Sequence, residues 1–349
     1  MKRIRLLHPL LILTIAVFLS SCTTMLYTSI DILRPAKVSF PADITKVVLI
    51  NNAPVQHPDV GHSTRLLNQQ ERKVRLTTDS VSVYCLAALA EGMAGKEFFN
   101  KVSLEPNTIN QNSLSIRPTL PDRELITTVA ARNSANAVVS LNQIVVASVQ
   151  GEVYNEETNS FISYIETIYE SHWSTHFPEK HKVQTFSARD TVFWESEAYS
   201  RQRAIQGLPD RNDALIDGAL ITGQRNLNRF IPWWDKVDRY LFNSSSKNMK
   251  PGMDAFYRKK WNEAIEAWTN ALTIGKNESM NGKLAHNLAV ACEIQGNLQQ
   301  AKAYSDKAVE YFMSSFLISY DQFMLVVGYN EELEKRIKEV ETVNQQLGE

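Results

Sequence analysis

Histidines and glutamates recur along one stretch of the chain, and these residue types can bind a metal ion or transfer protons. His172, His176 and His181 closely follow Glu166 and Glu170. On a helix, the first two histidines would share a face and could bind zinc. The two glutamates would be candidates for a pair of catalytic carboxylates. Whether these side chains meet depends on the local secondary structure.

The apolar residues of this stretch recur with a period of two, which predicts a strand with one solvated face. Ile165, Tyr169, Trp173 and Phe177 share one face, and the glutamates and the first two histidines share the other. Residues four apart on a strand are about 13 Å apart. Metal–nitrogen bonds measure about 2 Å, and the carboxylates of glycosidases lie about 5–9.5 Å apart. We therefore expect exposed strand residues here, with neither a metal site nor a catalytic pair.

Common catalytic and cofactor motifs are missing from the sequence. There is no glycine-rich phosphate loop, His-Glu-x-x-His, Gly-x-Ser-x-Gly, Cys-x-x-Cys or calcium loop. The 37 basic residues are balanced by 38 acidic ones, for a net charge of −1, which excludes the basic domain of a dedicated nucleic-acid binder. We expect a protein that is not an enzyme, takes no cofactor or metal, and binds no nucleic acid.

Tryptophan rings can stack on sugars, which makes the pair Trp233-Trp234 a candidate ligand platform. The pair follows a predicted helix, at the junction of two predicted domains, where packing is the ordinary use of such rings. Trp173 lies on the apolar strand face, while Trp261 and Trp268 occupy the repeat positions described below. Two interpretations of the pair remain open, namely domain packing and ligand stacking.

The N-terminus has the pattern of a secretory signal. Three basic residues among the first five precede an apolar run of 14 residues, Leu6 to Leu19. This run is too short for a bilayer span, which needs about 20 residues, and is typical of a signal peptide. Leu19-Ser20-Ser21-Cys22 resembles the bacterial lipobox, which implies cleavage between Ser21 and Cys22 and lipidation of Cys22. The alternative is an ordinary signal or an uncleaved anchor, with Cys22 incidental.

The residues after Cys22 indicate where a lipidated chain would reside. Thr23 follows the cysteine, instead of the aspartate that favours inner-membrane retention, and no acidic run follows. We therefore expect the periplasmic face of the outer membrane.

Cys85 and Cys292 are the remaining thiols, and both lie in apolar helical contexts. Two buried free cysteines or a disulfide between the domains are the alternatives.

The hydrophobic pattern predicts an α+β fold with two domains after a signal peptide (1–21) and a tether (22–44). Residues 45–245 are predicted to form a mixed sheet domain in the order β-α-β-α-β-β-β-α. Its predicted strands begin near residues 46, 98, 137, 161 and 183, and its main helices begin near residues 80, 121 and 210. Residues 250–349 are predicted to be helical.

A period of 37 residues runs through the helical part. Ala264 and Ala301 are 37 residues apart, as are Ala271 and Ala308. Small residues at such positions let antiparallel helices approach closely, and the pattern resembles a pair of tetratricopeptide repeats. The predicted repeat-core residues are Gly252, Trp261, Ala264, Trp268, Ala271, Leu288, Ala289, Gly296, Ala301 and Ala308. A generic helical hairpin bundle is the alternative.

The last helices follow the repeats. Leu333, Ile337, Val340, Asn344 and Leu347 form a stripe with spacings of four and three residues. The stripe is too short for a coiled coil and is expected to cap the repeat stack.

Two further resemblances concern the architecture. The element order over about residues 45–231, with its Ala-Asn-Ala-Val-Val-Ser-Leu strand, is similar to envelope domains of penicillin-binding-protein activator lipoproteins, the curli secretion-channel family and the Tol-Pal translocation protein. The full arrangement resembles an uncharacterised lipoprotein family of Bacteroidetes-type bacteria, which implies architecture and no activity.

Together these features predict a non-enzymatic, lipid-anchored adaptor of the cell envelope. The membrane would be contacted through the N-terminal lipid, and an envelope protein would bind the concave surface of the helical repeats. The alternative is a glycan- or small-ligand-binding lipoprotein that uses the exposed sheet face and Trp233/Trp234.

Overall fold

A computed structural model describes residues 24–108, 117–315 and 318–348. These residues form two compact units. The sheet unit contains Ala36–Pro232 together with residues 346–348. The helical unit contains residues 24–35 and Trp233–Gln345. Each unit has a separate hydrophobic core.

The sheet unit is built on one long strand, Ala137–Asn155. The described strands are β2 (Lys46–Asn51), β3 (His62–Arg65), β4 (Arg72–Lys73), β5 (Lys101–Thr108), β6 (Ala137–Asn155), β7 (Ser160–Phe177) and β8 (Lys182–Ala198). β6 pairs in parallel with β2 and β3 along one edge and antiparallel with β7 along the other. β5 extends the sheet beyond β2, β8 extends it beyond β7, and β4 pairs with β3.

Helices cover both faces of this sheet. They are α1 (Val81–Gly95), α2 (Arg123–Asn133), α3 (Arg201–Gln206) and α4 (Arg211–Phe230). α1 and α4 pack in the main core with Tyr169 and Trp173, and the Tyr169 hydroxyl donates to the carbonyl of Leu215 at 2.7 Å. α2 packs on the opposite face against Val48, Ile50 and Val138. The Asp122 side chain begins α2 by accepting a bond from the Leu125 amide at 2.7 Å.

The helical unit combines five helices of the described chain with a two-stranded ribbon. Its elements are β1 (Thr24–Arg34), β9 (Trp233–Asn243), α5 (Lys250–Tyr257), α6 (Trp261–Ile274), α7 (Glu278–Ile294), α8 (Leu298–Met313) and α9 (Tyr320–Leu347). β1 and β9 pair antiparallel over their full lengths, from Thr24 opposite Asn243 to Arg34 opposite Trp233. The other edge of β9 faces α7, where the Asn287 amide bonds both the N–H and the carbonyl of Phe242 (2.9 and 2.8 Å).

The predicted α+β class, with a mixed sheet followed by helices, is confirmed. The predicted tether over residues 22–44 is wrong for residues 24–34, because they form β1. The ribbon also changes the predicted limits of 45–245 and 250–349, since β9 packs with the helices. The predicted C-terminal stripe is shifted at its end, where Val343 is buried while Asn344 and Leu347 are exposed.

Candidate functional site

A cavity of about 240 Å³ lies in the sheet unit where β7 ends and α2 begins. Its apolar wall consists of Leu120, Pro121, Ile126, Phe177, Pro178 and Val183, and its polar lining consists of Arg123, Thr127, His176, His181 and Lys182. The lining residues include three basic side-chain types and no carboxylate. This composition fits a small anion that carries an apolar group.

His176 is the buried polar group of this cavity, and a hydrogen-bonded chain holds its ring in place. Ser140 Oγ donates to Asn142 Oδ1 (2.7 Å), and Asn142 Nδ2 donates to Ser174 Oγ (2.9 Å). Ser174 Oγ lies 2.7 Å from His176 Nε2. Ser174 Oγ both accepts from Asn142 and pairs with Nε2, and the tautomer of the His176 ring decides which of these two groups donates. Burial lowers the pKa of His176 to about 4, so the ring is neutral at pH 7.

Arg123 and Lys182 are the arginine and the lysine that line the cavity. Arg123 Nη2 lies 3.0 Å from Nδ1 and 3.2 Å from Nε2 of His181, which follows the short 3-10 helix Pro178–Lys180. Lys182 begins β8 and is exposed. Ser174, although hydrogen-bonded to a histidine, is fully buried and does not line the cavity. The arrangement can bind an anion and donate hydrogen bonds to it.

The structure separates the other residues considered for metal or acid–base chemistry. His172 pairs with Ser187 (2.7 Å), His176 with Ser174, and His181 with Arg123. In the described ranges, no group of three or more potential ligands could hold a metal ion. The expected exposure of His176 is wrong, since only 6% of it is exposed. Glu170 is exposed and Glu166 is half-buried, on the predicted face.

The tryptophan pair cannot form a single platform. Trp233 and Trp234 are consecutive residues of β9, and consecutive strand residues face opposite sides. Trp234 is 69% exposed, and Trp233 is half-buried. Trp173 lies in the core, as its apolar position suggested. Any stacking on a ligand would therefore use Trp234 alone.

Eight of the ten predicted repeat-core residues are buried in the helical unit. Buried among them are Gly252, Ala264, Trp268, Ala271, Leu288, Ala289, Ala301 and Ala308. Trp261 begins α6 half-buried and packs on Phe256. Gly296 is an exposed turn residue between α7 and α8, with a φ of +78° that favours glycine. Cys85 and Cys292 are buried free thiols, and Cys22 lies outside the described residues.

A buried ionic cluster in the helical unit gave no signal in the sequence. Glu293 of α7 is 1% exposed and binds Arg239 of β9 through two bonds of 2.8 and 3.0 Å. The Tyr329 hydroxyl donates to it at 2.8 Å, and Arg336 also contacts it. Burial raises the pKa of Glu293, but these cationic and hydrogen-bonding partners outweigh burial and lower it overall. A glutamate in a helix is usually solvated, which is why sequence patterns do not reveal such a cluster.

The comparisons with known proteins give a family. A model described as "Domain of unknown function (DUF8603)" matches residues 44–242, which is more than half of the chain. The chain belongs to this family. A second model, "Domain of unknown function (DUF6340)", matches residues 250–335. A search of curated proteins finds no match.

Solved structures show distant similarity. One is a neuraminyllactose-binding hemagglutinin homolog from Helicobacter pylori, with 9% identity and a TM-score of 0.26, covering 55% of this chain and 84% of that chain. Another, described as an uncharacterized protein, has 7% identity and a TM-score of 0.23, covering 53% and 91%. At these TM-scores the similarity carries no argument about this chain.

Within the described residues, no helix has both the length and the apolar character needed to cross a membrane.

Proposed function

We propose that the chain is a lipid-anchored adaptor of the bacterial cell envelope, which binds a protein partner and catalyses no reaction. The anchor is supported by the basic start, the apolar run and the Leu19-Ser20-Ser21-Cys22 sequence. Thr23 supports the periplasmic face of the outer membrane. The lipidated cysteine would hold the chain stably, since several acyl chains bind a bilayer far more tightly than one.

The helical unit supports the adaptor role. α5 with α6 and α7 with α8 form consecutive helical hairpins, and residues 37 apart occupy equivalent buried positions in α6 and α8. This agrees with the proposed tetratricopeptide-like interpretation. Within the helical unit, α7 is buried over most of its length, and its Asn287 bonds β9, which leaves little of α7 accessible to a partner.

The observation that carries the proposal is the unpaired edge of β1. In the described part of the chain β1 pairs with β9 alone, over Thr24–Arg34. A strand of 11 residues therefore presents one row of backbone N–H and carbonyl groups that no described strand pairs with. Such an edge is a template for an extended peptide, which adds to the sheet by main-chain hydrogen bonds. We infer that the partner contributes this strand.

Site-specific photocrosslinking in the native envelope tests this function. A photoreactive residue replaces Tyr27 of β1, which is 70% exposed, and the control replaces Tyr257 at the end of α5, which is 60% exposed. We expect a discrete protein adduct from position 27 and none of the same mass from position 257. Identical adducts at both positions, or no protein adduct at 27, would contradict the proposal. Truncation near residue 248 is unsuitable, since it removes the helices on which β9 packs.

The cavity favours a second candidate function, that of a small-ligand-binding envelope lipoprotein. Arg123 and the neutral His176 would bind the anionic group, and the apolar wall would contact the remainder. Benzoate and phenyl phosphate are suitable probes. We expect them to raise the melting temperature of the protein, and Arg123→Gln to abolish the effect. The control is Arg132→Gln on the same helix, where Arg132 is exposed and paired with Glu105.

A glycan that binds through Trp234 would instead lose affinity on Trp234→Ala.

A further inference from the structure

Large apolar side chains are exposed together at one end of the helical unit. Ile274, Met313 and Tyr320 are each 74% exposed, Met324 is 45% exposed, and Leu325 is 40% exposed. Folded proteins rarely expose several such residues together without a binding partner for them. We call these five residues the tether-end patch.

Contacts between helices place the patch at one end. Asn330 of α9 donates to Ser305 Oγ (3.1 Å) and Asp306 Oδ1 (2.8 Å) of α8. Because α8 and α9 are consecutive, the last turn of α8 and the first turns of α9 lie at the same end of this helix pair. Met313 therefore lies at the same end as Tyr320, Met324 and Leu325. Ile274 joins them, since Asn281 at the start of α7 donates to the carbonyl of Gly275 (3.2 Å), and α7 is antiparallel to α8.

The chain enters the helical unit at this same end. Met25, the second residue of β1, pairs with Phe242 of β9. The ring of Phe242 lies 5.8 Å from the ring of Phe312, which immediately precedes Met313. Lys283 Nζ, in the second turn of α7, lies 5.9 Å from the centroid of the same Phe242 ring. The first residue of β1 thus lies beside the patch.

The distance from Cys22 to Thr24 decides what can cover the patch. Two residues span at most about 7 Å, whatever their conformation. A lipid on Cys22 would therefore hold the start of β1 at the bilayer surface. Interfacial apolar side chains penetrate about 5–10 Å into the boundary of headgroups and acyl chains. The patch would consequently meet lipid and not bulk water.

We propose that the tether-end patch inserts into the headgroup boundary of the bilayer beside the lipidated Cys22, so that the helical unit rests on the bilayer in one orientation. This inference rests on the lipidation proposed above. The exposed Lys247 and Lys276 lie near this end, as do the exposed Glu278 and Asp321. The charges are of both signs, so insertion depends on the apolar side chains.

The test attaches the anchor chemically, independently of cellular lipidation. The chain from Cys22 onward is coupled through that thiol to a maleimide lipid in vesicles of phosphatidylethanolamine and phosphatidylglycerol. Cys85 and Cys292 are buried, and burial raises the pKa of both thiols, so they do not compete. An environment-sensitive fluorescent amino acid replaces Met324, or Tyr257 at the opposite end of the helices as the control. Both positions are exposed, so the fold should tolerate the replacement.

We expect a blue shift and quenching by spin-labelled lipid at position 324 on coupling, and neither effect at position 257. Equal, water-like emission at both positions would overturn the proposal.

In the uncoupled protein, Met313→Asp combined with Tyr320→Asp should weaken residual vesicle binding about tenfold or more for each side chain that inserts. The mass of the chain purified from its own membranes reports lipidation separately. An unmodified Cys22 would refute the proposed anchor without affecting the fluorescence result.

Discussion

Glu293 is a buried carboxylate of the helical unit that two arginines contact. It is buried and bonded to Arg239, Tyr329 and Arg336. Replacing it with glutamine removes the carboxylate that contacts Arg336 and leaves the buried Arg239 with only the more distant carboxylate of Glu332, at 4.0 Å. We expect Glu293→Gln to lower the free energy of unfolding by about 3–5 kcal/mol, as measured by urea denaturation.

Glu263→Gln on α6 is the matched control. Glu263 pairs with Lys260 on the surface, and both side chains are more than half exposed. Such pairs contribute about 0–1 kcal/mol. Equal losses for the two variants would show that the cluster around Glu293 does not stabilise the fold.

Three buried histidines make the protein sensitive to mild acid. Burial lowers the pKa of His62, His176 and His286 to about 4, with the charge of Arg211 contributing at His62. An unfolded histidine titrates near pH 6.5, so between about pH 6.5 and 4 the unfolded chain binds more protons. Stability therefore falls as the pH falls through this window.

We expect each of these histidines to lower the free energy of unfolding by about 2 kcal/mol when the pH is lowered from 7 to 5. Urea denaturation at both pH values measures the difference. His286→Gln should make the pH dependence of the helical unit shallower, whatever its effect at pH 7. His57→Gln, which changes an exposed histidine, is the matched control for the substitution itself. An unchanged slope in His286→Gln would refute this assignment.

The packing of α1 against α4 depends on a glycine. A methyl group at Gly223 would collide with the carbonyl oxygen of Cys85 and crowd the side chain of Ala88. Both obstacles are on α1, and the carbonyl cannot move without distorting the helix. We expect Gly223→Ala to destabilise the sheet unit by about 1–3 kcal/mol, as measured by thermal or urea unfolding.

Gly328→Ala is the control for this prediction. Gly328 also lies inside a helix, α9, but among the described residues no atom outside its own helical turns lies within 4 Å of the position that a methyl group would take. Alanine is favoured over glycine in helices by about 1 kcal/mol, so this variant should be as stable as the parent chain or more so. Destabilisation of both variants would mean that the close approach at Gly223 is not the cause.

The strands and helices with a local signal were predictable from the sequence, whereas the ribbon was not. α1, α4 and β7 have apolar residues at regular spacings, and α2 has an aspartate cap. β1 and β9 pair with each other, although they are far apart in the sequence. Ser29, for example, donates a hydrogen bond to Asp238, which is 209 residues away. No local pattern reports such a partner.

The cavity was equally beyond local inference. His176 lies on the face of β7 that the alternation of polar and apolar residues predicts. It is buried although strand periodicity predicts exposure, since Leu120, Pro121 and Ile126 of another segment line the same cavity. Glu293 was hidden for the same reason, because its cationic partners lie on β9 and α9.

Across the chain, β1 is a structural part of the helical unit and not a removable leader. Arg34 at its end binds Asp235 (3.1 Å), Glu332 (3.0 Å) and Glu339 (2.7 Å). Deleting residues 24–34 removes these bonds and the partner strand of β9. We expect the helical unit of the deletion variant to be cleaved much faster in limited proteolysis, while the sheet unit keeps its resistance. A deletion that leaves the helical unit equally resistant would show that these residues are only a spacer.

The pairing of β1 with β9 also has a consequence for the order in which the chain folds. Closing a loop of about 200 residues is entropically costly, so the ribbon is a slow contact for an unfolded chain. Within the sheet unit, however, the Val38 amide donates to the Arg229 carbonyl at 2.9 Å. Folding of that unit therefore brings the end of β1 close to the start of β9. The two strands can then pair without closing the long loop from the unfolded state. The sheet unit would then complete its folding first, and the helices would assemble on the ribbon afterwards.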